Sequence, residues 1–305
     1  MNHFFKRSAF TMIELLFVIV ILGIVAGFAL EAIRSYYEGI FRTAEYTKRV
    51  ATADQVLEQL SKYFENAIST SIVNLDRGAT TGCNGTPVLN DLNDYTVAFV
   101  SVDQDSLLGN GTIVPGWNED VNISGSTITM RGGDYTIANS IIGTLSGLSF
   151  YDAAIYNNSG IGTTCRAFNW DNTGGTLEKY FIPVNNLTSS TITVDRPPVE
   201  GKRAYLLRTG YAFRVDDNGS FWMYNNFMPW QSIRYTSGNK NLLAENVAHF
   251  YADYDAQDFQ NQINLNDRGL VWRLKVCMRG IDSNLSESSA SSNDICRERR
   301  VHVRY

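Results

Sequence analysis

From Phe10 to Leu30 the chain is apolar at every position except Thr11 and Glu14. As an α-helix rising about 1.5 Å per residue, a run of this length spans roughly 30 Å, the thickness of a bilayer's hydrocarbon core. The helical pattern continues beyond it. No proline precedes Pro87, and the stretch from Glu31 to Thr70 is rich in Ala, Glu, Leu, Lys and Gln, all good or tolerable helix formers. From Tyr46 the apolar residues Tyr46, Val50, Ala53, Leu57, Leu60, Phe64 and Ile68 recur at alternating steps of four and three, with Lys48, Arg49, Asp54, Glu58, Lys62 and Glu65 mostly off that line. One narrow stripe of this kind needs a surface to cover it, either a coiled-coil partner or a sheet. Gly23, Gly27 and Gly39 interrupt the helix; small residues of this kind allow close helix approach at a cost of the order of 1 kcal/mol each.

Past Asn74 the periodicity shortens, and Gly, Asn, Ser and Thr clusters separate short alternating or β-branched runs. "YTVAFVSV" from Tyr95, "VNISGSTITM" from Val121, "KYFIPV" from Lys179, "STITVD" from Ser190, "RAYLLRT" from Arg203, "YAFRV" from Tyr211, "SFWMYN" from Ser220 and "LVWRLKVCM" from Leu270 predict strands. Asp216, Asp217, Asn218 and Gly219 form the clearest hairpin turn, between "YAFRV" and "SFWMY". Strands joined this closely make an antiparallel sheet, and no strand–helix alternation of the βαβ kind is present. The expected fold class is α+β: a long amino-terminal helix, half apolar and half amphipathic, packed on an antiparallel sheet. The expected boundaries are 10–30 for the apolar half, 31–74 for the amphipathic continuation and 75–305 for the β-rich domain.

Composition adds little constraint: 305 residues with 44% hydrophobic and 19% charged suit one large core or two small ones. Charge adds more. A net charge of −5 argues against bulk electrostatic binding of nucleic acid, which requires Lys and Arg gathered on one face; a local basic strip remains at "CRERRVHVRY". Lys6 and Arg7 precede the apolar run with no acidic residue among the first nine, so the positive-inside rule places the start in the cytoplasm and everything after Leu30 outside. "VAGFALEAIRSYYEG" holds no good A-x-A-like site for removal of the run as a signal peptide. A plain anchor leaves Glu14 unexplained, because a charged side chain at the centre of a spanning helix costs about 2.5 to 3.5 kcal/mol on insertion scales.

"KRSAFTMIELLFVIVILGIVA" resembles the amino-terminal segment of type IV prepilins and type II secretion pseudopilins. The match rests on Phe10, Thr11, Ile13, Glu14 and Leu15 and on the basic pair before them. The resemblance implies that residues 1–9 are a cytoplasmic leader, that a prepilin peptidase cuts between Ala9 and Phe10, and that the new Phe10 amine is methylated. The family usually has Gly before the cut, where this chain has Ala9. A free α-amine has a pKa of about 7.7 to 8 and is substantially charged at neutral pH. Glu14 would meet such an ammonium on a neighbouring subunit and set register, the best-attested use of a buried charge. The resemblance also implies partners: other pilin or pseudopilin subunits, the peptidase, an inner-membrane assembly platform and, before assembly, membrane lipid. "LLAENVAHFYADYD", from Leu242, "RLKVCM" and "RRVHVRY" resemble a stretch late in the larger minor pilins and pseudopilins. Together with the chain's length, they point to a minor subunit of a tip or priming complex.

Four cysteines, Cys83, Cys165, Cys277 and Cys296, fall in the exported part, where an even count favours disulfides. Of the three possible connectivities, Cys277 with Cys296 would clamp the Ser- and Asn-rich loop between them, and Cys83 and Cys165 each sit in a Gly- and Thr-rich loop. Zinc is disfavoured because no Cys-x-x-Cys pair exists and His249 and His302 lack ligand spacing. No other cofactor is expected. Asp253, Asp255, Asp258 and Asp267 are candidate calcium ligands, against the simpler reading of a solvated acidic loop, since the closing Glu and the Asp-x-Asp-x-Asp-Gly pattern are missing. Catalytic motifs are absent: no Gly-x-Ser-x-Gly, no His-Glu-x-x-His and no phosphate loop. Trp222, Tyr224, Phe227 and Trp230 offer either sheet packing, the favoured reading, or an exposed aromatic patch for sugar or partner binding. A structural subunit is therefore the leading expectation. The alternatives are a tip binding module, either an adhesin or a DNA-uptake receptor, and then a signal-anchored exported enzyme.

Overall fold

The computed structural model describes residues 11–76, 83, 95–108, 114–147, 153–156, 164–171, 181–198, 204–254, 271–280 and 294–304. Its first helix, α1 (Met12–Glu65), is a single element of 54 residues. The described chain divides into two compact units, one running to Arg49 and the other from Val50. In the first unit Leu16, Phe17, Ile19, Leu22 and Phe28 are exposed, and by length and composition the helix can cross a membrane. Its polar residues satisfy themselves locally: Thr43 and Thr47 donate to the carbonyls of Gly39 and Thr43, and Arg34–Glu38 and Arg49–Glu45 pair one turn apart. Tyr46, which the stripe includes, is exposed.

In the second unit Ala53, Val56, Leu57, Leu60 and Phe64 of α1 are buried. Fully burying a side chain of this kind is worth roughly 1.5 to 3 kcal/mol. The cover is sheet, not a second helix: β2 (Tyr95–Val102), β8 (Tyr205–Val215) and β9 (Phe221–Phe227) on one sheet and β11 (Val247–Tyr254), β12 (Val271–Met278) and β13 (Ile295–His302) on another share one core with these residues. Phe64 meets Phe99 edge-on, centroids 4.6 Å apart, with Phe213 at 6.0 Å. The expected helix to residue 74 stops at Glu65 instead. Beyond it the backbone pairs with β2: Ile68 donates to Val100 at 2.9 Å, Val102 donates to Asn66 at 2.9 Å, and the Ser71 hydroxyl accepts from Val100 N–H. Sheet bonds replace the helical ones, so Ile68 stays buried although it is no longer helical.

The remaining elements are β1 (Val73–Asp76), α2 (Gln104–Leu108), β3 (Val121–Ser124), β4 (Thr127–Met130), α3 (Tyr135–Ser146), β5 (Ala154–Tyr156), α4 (Thr164–Ala167), β6 (Phe181–Leu187), β7 (Thr191–Val194) and β10 (Asn239–Ala244). The larger sheet runs β1-β2-β8-β5-β6-β7-β4-β3, with β9 and β10 branching from β8; the smaller is β11-β12-β13. All pairings in both sheets are antiparallel.

β8 is the branch point. The two predicted strands "RAYLLRT" and "YAFRV" are one strand of 11 residues. One edge of β8 pairs with β2, and the other pairs with β5 at Tyr205 to Leu207 and with β9 from Gly210 onward. Gly210 marks the switch because the Phe227 ring fills the space where a Cβ would stand, 2.6 Å away. The β8–β9 hairpin closes through Asp216 to Gly219, with Gly219 at φ +83° and donating to Asp216 at 2.8 Å. "VNISGSTITM" is two strands, β3 and β4, turning at Gly125. Helix α3, not anticipated from the sequence, is capped by Asp134, which accepts from Thr136 N–H at 2.8 Å, and by Gly147 in the left-handed conformation.

A second core lies around β4 to β7 and α3 and includes Trp117, Ile142, Phe168 and Phe181. Disulfides join Cys83 to Cys165 and Cys277 to Cys296, the second pair directly opposite one another on β12 and β13. Where β2 ends, Asp103 is buried and accepts from Ser106 N–H and hydroxyl, and Arg208 lies 3.6 Å from it and 2.6 Å from Asp105. Burial pushes the Asp103 carboxyl above its ordinary value of 3.8, against the pull of Arg208 and Ser106.

Phe64→Ala should lower unfolding free energy by about 3 to 5 kcal/mol in a urea melt, the usual cost of emptying a buried aromatic site. Asp103 gives a pH signature. Its folded-state pKa lies above its unfolded value, so its contribution is full below the unfolded value and is lost as pH rises through the folded one. Relative to Asp103→Asn, the native protein should therefore lose stability as pH rises above about 3.8, measured as the difference between paired melts. A flat difference would contradict this.

Candidate functional site: the first turn of helix α1

Thr11 stands immediately before α1, and its carbonyl accepts from Glu14 N–H at 3.1 Å and Leu15 N–H at 3.2 Å. Glu14 is the third helical residue, and its carboxylate folds back toward the helix start. Oε2 accepts from Thr11 N–H at 3.4 Å and lies 3.5 Å from the Thr11 hydroxyl. This is the return half of a capping box, in which a Glu three residues into a helix satisfies the N–H of the capping residue. The placement also sets a negative charge at the positive end of the helix dipole, a favourable arrangement worth roughly 0.3 to 1 kcal/mol where exposed. The geometry thus accounts for the carboxylate within one chain: it serves the backbone of the helix start.

The same geometry brings the carboxylate close to the proposed processing point. Thr11 N, which the carboxylate already contacts, belongs to the peptide bond that follows Phe10. A cut before Phe10 would put an ammonium one residue upstream of that contact. Ala9 and Phe10 themselves lie outside the described residues.

The other candidates are scattered. Asp253 is largely buried and paired with Arg273 at 2.8 Å; Asp255, Asp258 and Asp267 lie outside the described residues. Among the described residues, no three His, Cys, Asp or Glu side chains gather in a way that could hold a metal ion. His249 is buried, with Nε2 3.9 Å from the Asp294 carboxylate. Of the four aromatic residues considered as a surface patch, Tyr224, Phe227 and Trp230 are buried. Trp222 is half-buried, with the Lys240 ammonium 3.9 Å over its ring. These aromatics pack the sheet. The Thr11-x-x-Glu14 spacing is itself a capping-box signature and was legible in the sequence. So was the Asp103-x-x-Ser106 start of α2, but its link to Arg208, about a hundred residues away, was not.

Comparison with known families agrees with this location. The prokaryotic N-terminal methylation motif matches residues 5–30. No curated protein and no solved structure matches the chain. Residues 5–30 are a prepilin-type segment of the type IV pilin and pseudopilin kind. The chain thus carries a type IV pilin-like substrate segment for prepilin peptidase, at the start of a helix long and apolar enough for membrane anchoring, within an α+β fold consistent with a pilin-like plan.

Glu14→Ala should speed hydrogen exchange of the Thr11 amide severalfold in detergent micelles while leaving amides beyond Val20 unchanged. Equal exchange in both proteins would refute the back-folded carboxylate.

Proposed function

We propose that this protein is a minor pilin or minor pseudopilin, a structural subunit cut between Ala9 and Phe10, methylated on the Phe10 amine and assembled at the tip or priming complex of a type IV pilus or type II secretion pseudopilus. The observation that carries the proposal is the methylation-motif match at residues 5–30, which contains the Glu14 carboxylate at the helix start. Lys6 and Arg7 on the short side of the apolar run support a cytoplasmic start and an exported domain after Leu30. The length of the chain and its β-rich domain support a minor rather than a major subunit, and the paired cysteines suit an oxidising compartment.

The chemistry is done to this protein and not by it. Before assembly the apolar helix is held in lipid. When the subunit is extracted into a filament, neighbouring helices replace the lipid, and the Glu14 carboxylate exchanges its local N–H contact for the methylated ammonium of the adjacent subunit. A charge-assisted contact is roughly twice as strong as a neutral one, so correct register is favoured over a slipped one. The assembly partners are sibling pilin-type subunits, the peptidase and the inner-membrane platform. No metal or organic cofactor takes part; the Asp253–Arg273 pair supports that reading for the one calcium candidate that is described.

In the native cell the mature protein should begin with methylated Phe10 by mass measurement, and Glu14→Ala should insert into the membrane at wild-type level yet be at least tenfold depleted from sheared filaments. A mature terminus at Met1 or near Glu31, or wild-type incorporation of the variant, would refute the proposal.

A further inference from the structure

The geometry points to a binding site for a neutral sugar ring in a pocket of the globular unit, lined by Gln59, Lys62 and Tyr63 of α1, Asp105 of α2, and Arg208 and Tyr211 of β8. Its volume is ≈ 290 Å³, at the lower end of the roughly 300 to 1,000 Å³ of small-molecule sites, which suits one ring and not a nucleotide or a lipid. Every lining residue lies in the unit that begins at Val50, so the site is independent of the assembly segment.

Three features select the ligand. First, one wall is aromatic: Tyr63 leans on Tyr211 with centroids 4.9 Å apart and planes at 43°. Carbon-bound hydrogens of a pyranose face pack well on such rings, which are negative over the face. Second, the polar groups are positioned in advance. Arg208 is held at 2.6 Å by Asp105 and backed by the buried Asp103 at 3.6 Å. A guanidinium and carboxylate locked together offer fixed donors and acceptors to vicinal hydroxyls, each of which can give and take a hydrogen bond. Gln59 and Asn66 add amides of both kinds at the same pocket.

Third, each cation is already answered by a carboxylate: Arg208 by Asp105 and Asp103, and Lys62 by Glu58 at 3.7 Å. A phosphate or an acidic peptide therefore finds no surplus positive charge here, whereas a neutral polyhydroxyl ring loses nothing by its lack of charge. The aromatic segment from Trp222 to Trp230, a sugar-site candidate by sequence, is mostly core; the amphipathic wall needed for this chemistry is built from Tyr63 and Tyr211 instead.

The test is a titration of full-length protein, in a detergent without a sugar headgroup, with the methyl glycosides of glucose, galactose, mannose and N-acetylglucosamine, read by saturation-transfer NMR. At least one should bind saturably with a Kd on the order of 1 mM, as its small size dictates. Tyr63→Ala and Asp105→Asn should each weaken that binding at least tenfold. Tyr63→Phe should keep it, and Trp222→Ala should leave it unchanged. Oligosaccharides ending in the best-bound ring form a second arm: tighter binding assigns the site to a glycan terminus, and exclusion assigns it to a free monosaccharide. Absence of saturable binding by all four glycosides, binding that Tyr63→Ala leaves intact in a protein with a wild-type melt, or displacement of the sugar by inorganic phosphate would overturn the proposal. Filament incorporation, scored separately, reports on the assembly role alone.

Discussion

An apolar stripe on a helix is stable only where something keeps water from it, and that requirement organises the globular unit of this protein. Ala53, Val56, Leu57, Leu60 and Phe64 give α1 a buried face, and two antiparallel sheets supply the cover. Phe64 sits among Phe99 and Phe213, so the helix end, β2 and the branch strand β8 meet at one aromatic cluster. The nearby polar pocket draws on the same three elements and on α2, and the Asp103–Arg208 pair joins the end of β2 to β8.

The branch at β8 shows how one small residue allows a sheet to divide. A strand has two edges, and β8 uses one for β2 and splits the other between β5 and β9. At the split, the absence of a side chain on Gly210 leaves the space that the Phe227 ring occupies. Glycine weakens a strand interior on entropic grounds, but here the aromatic ring seals the place where the two partners part.

The first turn of α1 joins a local capping geometry to the methylation motif. A carboxylate that caps its own helix start is neither a free charge nor a committed one. Its contact is with a neutral N–H, weaker than a charge-assisted contact with a cation would be. This lowers the cost of an acid in an apolar segment: the carboxylate stays at the edge of the helix, beside unsatisfied backbone donors.

Much of this could be read from the chain alone, because the information is local. Apolar content marks the membrane-length run, spacing marks Ala53, Leu57, Leu60 and Phe64 as one face, and Asp216 to Gly219 mark a hairpin. The positions of Thr11 and Glu14 likewise carry the capping-box spacing within a few residues, inside the methylation motif. Other features depended on parts of the chain far apart in sequence. Helix α1 stops at Glu65 because β2 competes for the backbone of Asn66 and Ile68. "RAYLLRT" and "YAFRV" merge because Phe227 covers Gly210, and α3 forms where β-branched residues had masked the Asp134 and Gly147 caps. Tyr63 and Tyr211 become one wall only when a helix and a strand about 150 residues apart are packed together. Periodicity and capping are set by neighbours along the chain, whereas the choice of partner for a backbone edge or an aromatic face is set by what else must be kept from water in the same volume.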